Sequence, residues 1–185
     1  MSRIPRMYDS PGEFVFHTTE PEKLSSIRTQ GLIPGGGDTD GTVAIIQQAI
    51  DSLDVDVTLP IDRGEVSYHH IGFEYVNNVY AQPADDTPLA SSPPGIIVTR
   101  FDQIDAPTYI GDMGLASDLL DYQLAGEDHL MYADSPEDAL KQYAETLVEV
   151  TTVDELSEYS RTDDGRYELL VDGPINPDAF ATVIS

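Results

Sequence analysis

Phe14-Val15-Phe16-His17-Thr18-Thr19-Glu20 is the stretch on which the reading of this chain turns. Residues 14–17 form a short apolar run ending in a histidine, the pattern of a half-buried strand. Thr18 or Thr19 then offers a helix N-cap. Pro21 and Glu22 suit a first helical turn, where a missing N–H costs nothing and a negative charge meets the helix dipole. Leu24 and Ile27 recur at helical spacing, and Gly31 supplies a C-terminal stop. Leu32-Ile33-Pro34 leads into Gly35-Gly36-Gly37. The unit is strand, histidine, capped helix, Gly-Leu, glycine-rich loop. His17 either lines a pocket or simply ends a strand with its ring partly buried.

Outward from this unit, strands and helices alternate irregularly. A helix is expected over 43–53, capped by Asp38, Thr39 or Asp40, with Val43, Ile46, Ala49, Ile50 and Leu53 on one face. Residues 55–59 read as a strand, Pro60 to Gly64 as a turn, and Val66 to Ile71 as another strand. Residues 73–82 read as a short helix leading into a strand at 79–81. Residues 82–95, with four prolines and the pair Asp85-Asp86, read as a long loop. Gly95 to Phe101 is the clearest strand, and Thr108 to Asp112 a shorter one. A helix is expected over 115–122. Ser135-Pro136-Glu137-Asp138 is a full helix start, with a cap, a proline and two acids in the first turn. Arg166 to Val171 closes as a strand. A helical turn at Asn176-Pro177 and a strand at 181–184 follow. This mixture indicates an α+β fold. Residues 1–12 read as an irregular N-terminal arm and 13–185 as a single α+β domain.

Composition narrows the setting. The chain has 185 residues, 34 Asp+Glu against 9 Lys+Arg, and a formal net charge of −25. Ten tyrosines, five phenylalanines and amphipathic runs separate it from an acidic disordered chain. A carboxylate surface of this density fits a protein of a halophilic system, where molar salt screens self-repulsion. Such a field disfavours nucleic acid and anionic membranes as partners. The chain has no cysteine, which excludes disulfides, thiolate nucleophiles and Cys-based zinc sites. No apolar run reaches the length of a membrane span, and the basic N-terminus lacks an apolar signal core. Location is therefore expected to be cytoplasmic or virion-associated.

The opening unit resembles the start of the ADP-ribosyltransferase fold. The branch concerned holds the poly-ADP-ribose polymerases, the RNA 2′-phosphotransferases and the DarT-like toxins. In it a strand ends in His-Gly or His-Thr, and a helix follows with the pattern xxIxxxGL. Here these are His17-Thr18 and Ile27-Arg28-Thr29-Gln30-Gly31-Leu32. The C-terminus adds to the likeness. Family members often end with an acidic residue on a strand, a turn and an xIxPxxI segment; the run here is Tyr167-Glu168-Leu169-Leu170-Val171-Asp172-Gly173-Pro174-Ile175-Asn176-Pro177-Asp178-Ala179-Phe180. The resemblance covers 14–34 and 165–184 and only loosely the middle. It implies a split, bent, antiparallel-rich sheet with flanking helices and NAD in the cleft. It also implies that His17, with Thr18, holds ribose. Tyr80, or its rival Tyr68, would stack on nicotinamide. Glu168 would be the catalytic carboxylate, acting on the charge that develops as the nicotinamide–ribose bond breaks. ADP-ribose would pass to an acceptor the sequence does not name.

Other residues remain open. Arg63 either meets a diphosphate or pairs with Asp62 or Glu65. Gly35 to Gly37 either approach a phosphate or form a flexible loop. His69 and His70 alternate to opposite faces of a strand and cannot chelate one metal together. His129 stands apart, Asp54 and Asp56 are a weak cation pair, and no metal site is expected. No Gly-x-Ser-x-Gly elbow supports a serine hydrolase. The alternative is a non-enzymatic virion, assembly or partner-binding protein, with arm 1–12 and loop 82–95 as contact segments.

Overall fold

The computed structural model describes residues 13–34, 42–61, 65–68, 95–126, 130–160 and 167–184, with 65–68 described by backbone alone. The expectations for the arm 1–12, the loop at Gly35–Gly37, the run 69–94 and His129 lie outside the described residues. Strand β1 spans Phe14–Thr19, two residues beyond the apolar run. Because the strand takes in both threonines, neither caps the helix. A 3-10 turn, Pro21–Lys23, intervenes with Glu20 at its N-cap and no side-chain cap. Helix α1 then runs Leu24–Gln30 and stops at Gly31.

Gly31 is fixed by geometry. Its φ of 84° and ψ of −174° lie where only glycine sits without strain. A Cβ there would lie 2.1 Å from the Ile175 carbonyl oxygen. The next residue, Leu32, exchanges backbone hydrogen bonds with Ile175 at 3.0 and 2.9 Å. The Gly-Leu pair thus ties the opening unit to the C-terminal segment.

Helix α2 spans Thr42–Leu53, one residue longer than its periodicity indicates. It ends at Asp54, whose φ of 52° is a left-handed helix stop. Residues 55–59 form no strand, contrary to expectation: Val57 N–H donates to the Val55 carbonyl, a local turn bond that a paired strand does not make. Strand β2 (Glu65–Tyr68), β3 (Gly95–Arg100), β4 (Thr108–Asp112), β6 (Tyr167–Asp172) and β7 (Phe180–Ile184) fall close to their apolar runs. Helix α3 is Met113–Ala125 and α4 is Pro136–Thr146, the latter capped by Ser135 Oγ, which accepts from Asp138 N–H at 3.1 Å. Three elements were not anticipated: the 3-10 turn Phe101–Gln103 after β3, the two-residue strand β5, Val148–Glu149, and helix α5, Val153–Ser160.

The described strands form two antiparallel sheets, ordered β1-β3-β7 and β2-β6-β4-β5. Val15 and Ile97 of the first sheet and Ile110, Leu169 and Val171 of the second share one core with Leu24, Leu32 and Ile175. Phe16, Ile96 and Val98 bury the other face of the first sheet. On the second sheet's far side, α2, α3 and α4 enclose Ile46, Ala49, Leu115, Leu119, Leu140 and Tyr143. The architecture is α+β. Among the described residues no helix is long and apolar enough to cross a membrane.

Candidate functional site

β6 is flanked on both sides, by β2 and β4, so its residues are shielded at both edges. Glu168 is its second residue and is fully buried, at 0% exposure. Register fixes its direction. Ile110 and Leu169 pair and belong to the core between the sheets, so the next pair, Gly111 and Glu168, points to the opposite, helical side. A Cβ on Gly111 would lie 2.8 Å from the Tyr143 hydroxyl of α4, which places that face against the helices. A buried carboxylate is expensive unless hydrogen-bonded. Thr42 Oγ1 donates to Glu168 Oε2 at 3.1 Å. Thr42 is the first residue of α2, so the carboxylate also lies by the positive end of a helix.

His17 occupies a different layer. It pairs with Ile97 on β3 and shares its face with Val15, which is the side of the core common to both sheets. Its side chain is partly exposed. Thr18 pairs with Ile96 and falls on the opposite face of the same strand, so strand alternation separates the two. The structure therefore brings Glu168 to Thr42 and sets His17 on the other sheet, facing the other way from Thr18. Tyr68 lies on β2 opposite Leu169, one position from Glu168 along β6. Tyr80 and Arg63 lie outside the described residues, as do His69 and His70.

Thr42 was missed by sequence reasoning, which looked for caps at 38–40. No local signal could have found it, because the bond to Glu168 joins residues 126 apart. Two more buried acids hold backbone. Asp112 caps α3, accepting from Gly114 N–H at 2.9 Å and Leu115 N–H at 3.3 Å. Asp118, 1% exposed, accepts from Met131, Tyr132 and Ala133 N–H at 2.8, 2.7 and 2.9 Å.

A groove of about 330 Å³ opens elsewhere, between the 3-10 turn after β3 and the β4–β5 pair, with Phe101, Ile104, Pro107 and Val150 in its wall. Asp102, Asp105 and Glu149 also line it. Three acids repel a diphosphate, so this groove does not suit an anionic dinucleotide. Among the described residues no group of three His, Asp or Glu side chains is arranged to hold a metal ion. No family model, no curated protein and no solved structure gives a significant match to the chain.

Proposed function

We propose that the protein is an ADP-ribosyltransferase-like, NAD-binding protein of a halophilic system, with Glu168 as its catalytic carboxylate. The observation that carries this reading is the burial of Glu168 at the start of a central strand, held by a hydroxyl from α2. A carboxylate kept in a low-dielectric layer interacts strongly with positive charge developing on a ribose, far more than one in water does. His17 lies in one antiparallel sheet, on the side of the core between the sheets, and Glu168 in the second, on the helical side, with Tyr68 on the strand beside it. On this reading His17 holds ribose, without Thr18, which is on the opposite face of β1; Tyr68 or Tyr80 stacks on nicotinamide, and Arg63 meets the diphosphate. Glu168 orients the acceptor and stabilises charge on the ribose as nicotinamide leaves. Because Glu168 has no exposed surface, NAD must open the layer over it on binding.

That same burial favours a second reading, a non-enzymatic partner-binding or virion-assembly protein in which Glu168 is a structural group. Met131 and Leu124, 79% and 76% exposed, offer apolar contact to such a partner.

Calorimetry of NAD binding in molar KCl, on wild type and His17→Ala, separates the two, together with nicotinamide release by wild type and Glu168→Gln. The transferase reading expects saturable binding that His17→Ala removes and turnover that Glu168→Gln removes. A folded wild-type protein that neither binds nor cleaves NAD refutes it and leaves the second.

A further inference from the structure

We infer that Thr42 is a positioning residue for Glu168 in the reaction proposed above, on which this inference rests: its hydroxyl, donating to Oε2, fixes the direction in which the carboxylate meets substrate. A glutamate side chain has three rotatable bonds, and a carboxylate that swings by an ångström loses most of its value to a reacting centre. Something must hold it. β6 fixes the Cα, and Gly111 across the strand pair has no side chain with which to brace it. Thr42 Oγ1, at 3.1 Å, holds one of the two carboxylate oxygens.

The donor is itself well placed. Threonine is β-branched, so its first torsion is restricted in a helix. Two anchors fix α2. Ile46 and Ala49 are fully buried against α3 and α4. Gln123 Nε2 of α3 donates to the Ile45 carbonyl at 3.0 Å. Thr42 therefore carries the position of the helical layer to the carboxylate, and a residue 126 positions away helps to fix how Glu168 points. Thr42 needs no contact with NAD to act.

The test compares steady-state nicotinamide release in molar KCl for wild type, Thr42→Val and Thr42→Ser, with thermal melts as a folding control. Thr42→Val keeps the shape and removes the donor. We expect kcat to fall by roughly tenfold to a hundredfold, as for loss of one hydrogen bond to a charged group, with KM for NAD unchanged. Thr42→Ser, which keeps the hydroxyl, recovers most of the rate. Should Thr42→Val fail to fold, Thr42→Ala is read in its place. An active wild type with Thr42→Val equally fast or faster overturns the positioning role alone. So does a Thr42→Ser variant as slow as Thr42→Val, since the hydroxyl is then irrelevant. A folded wild type that releases no nicotinamide overturns the proposed function, and this inference falls with it.

Discussion

Replacing Asp118 by alanine removes the acceptor for three successive backbone amides. The carboxylate lies on α3 and is 1% exposed, and it receives Met131, Tyr132 and Ala133 N–H at 2.7 to 2.9 Å. Each bond to a charged group is worth roughly 1.5–3 kcal/mol when broken alone. The three do not add in full. Met131 is 79% and Tyr132 46% exposed, so water can reach the freed amides once the side chain is gone. The total cost is about 3 kcal/mol, near that of one strong charged bond plus partial losses. For a domain of this size each kcal/mol lowers Tm by ~2–4 °C, so Asp118→Ala should melt roughly 6–12 °C below wild type. Asp118→Asn keeps one oxygen, able to serve Tyr132 and Ala133, but turns an NH2 toward Met131 N–H. It should lose about half as much. Circular dichroism melts at fixed molar KCl measure both. An alanine variant within ~2 °C of wild type would refute the reasoning, since that is under 1 kcal/mol. An asparagine variant less stable than alanine would refute the division among the three bonds.

Gly31→Ala should cost at least about 2 kcal/mol by chemical denaturation, from a φ/ψ pair closed to alanine and a Cβ driven to 2.1 Å from the Ile175 carbonyl; a neutral result would show that the Leu32–Ile175 bridge is not as drawn. Glu155 should titrate below the ordinary glutamate range in a carboxyl NMR titration, because Thr151 and then Thr152 backbone N–H groups donate to its ionised form. Its folded pKa is depressed, so its contribution to α5 is present above the unfolded value of 4.5 and is lost as pH falls through the folded value. Glu155→Gln should flatten that local acid response, and an unshifted Glu155 midpoint in wild type would contradict it. With a net charge of −25, the melting temperature should climb as KCl rises from 0.1 to 1 M and the Debye length shrinks from ~10 Å to ~3 Å. A flat salt profile would remove the case for a halophilic setting.

What the sequence makes legible is what is decided within one turn or one strand. Ser135-Pro136-Glu137-Asp138 starts a helix because cap, fixed φ and first-turn acids all act on the same few amides. Gly95 to Arg100 is a strand because its apolar run is buried on both faces. Helix α5 was missed although its signal is local. Thr152 and Glu155 form a reciprocal capping box, Glu155 N–H donating to Thr152 Oγ1 at 3.2 Å and Thr152 N–H to Glu155 Oε2 at 3.1 Å. The spacing Thr-x-x-Glu is visible in the chain, but one fully buried residue, Leu156, leaves too little apolar periodicity to draw attention. Asp54 was read for its charge, whereas its backbone matters: it ends α2 with a positive φ, and the Val-rich run after it forms no strand.

The candidate site divides along the same line. His17 and Glu168 are each placed correctly on strands by local pattern, at the end of an apolar run and the start of another. Their environment comes from pairing between distant segments, which no local pattern encodes. Among 34 acids, a strand glutamate reads most simply as a solvated surface charge. Only the order β2-β6-β4, and the arrival of α2 over that face, turn Glu168 into a buried group with a threonine for a partner. Burial makes the carboxylate costly, and a costly group is kept either because removing it strands its partners or because it serves a reaction. The two cases differ in NAD binding and in turnover. A structural Glu168 loses stability when changed to glutamine and binds no NAD. A reactive one loses turnover while Thr42→Ser still supports it.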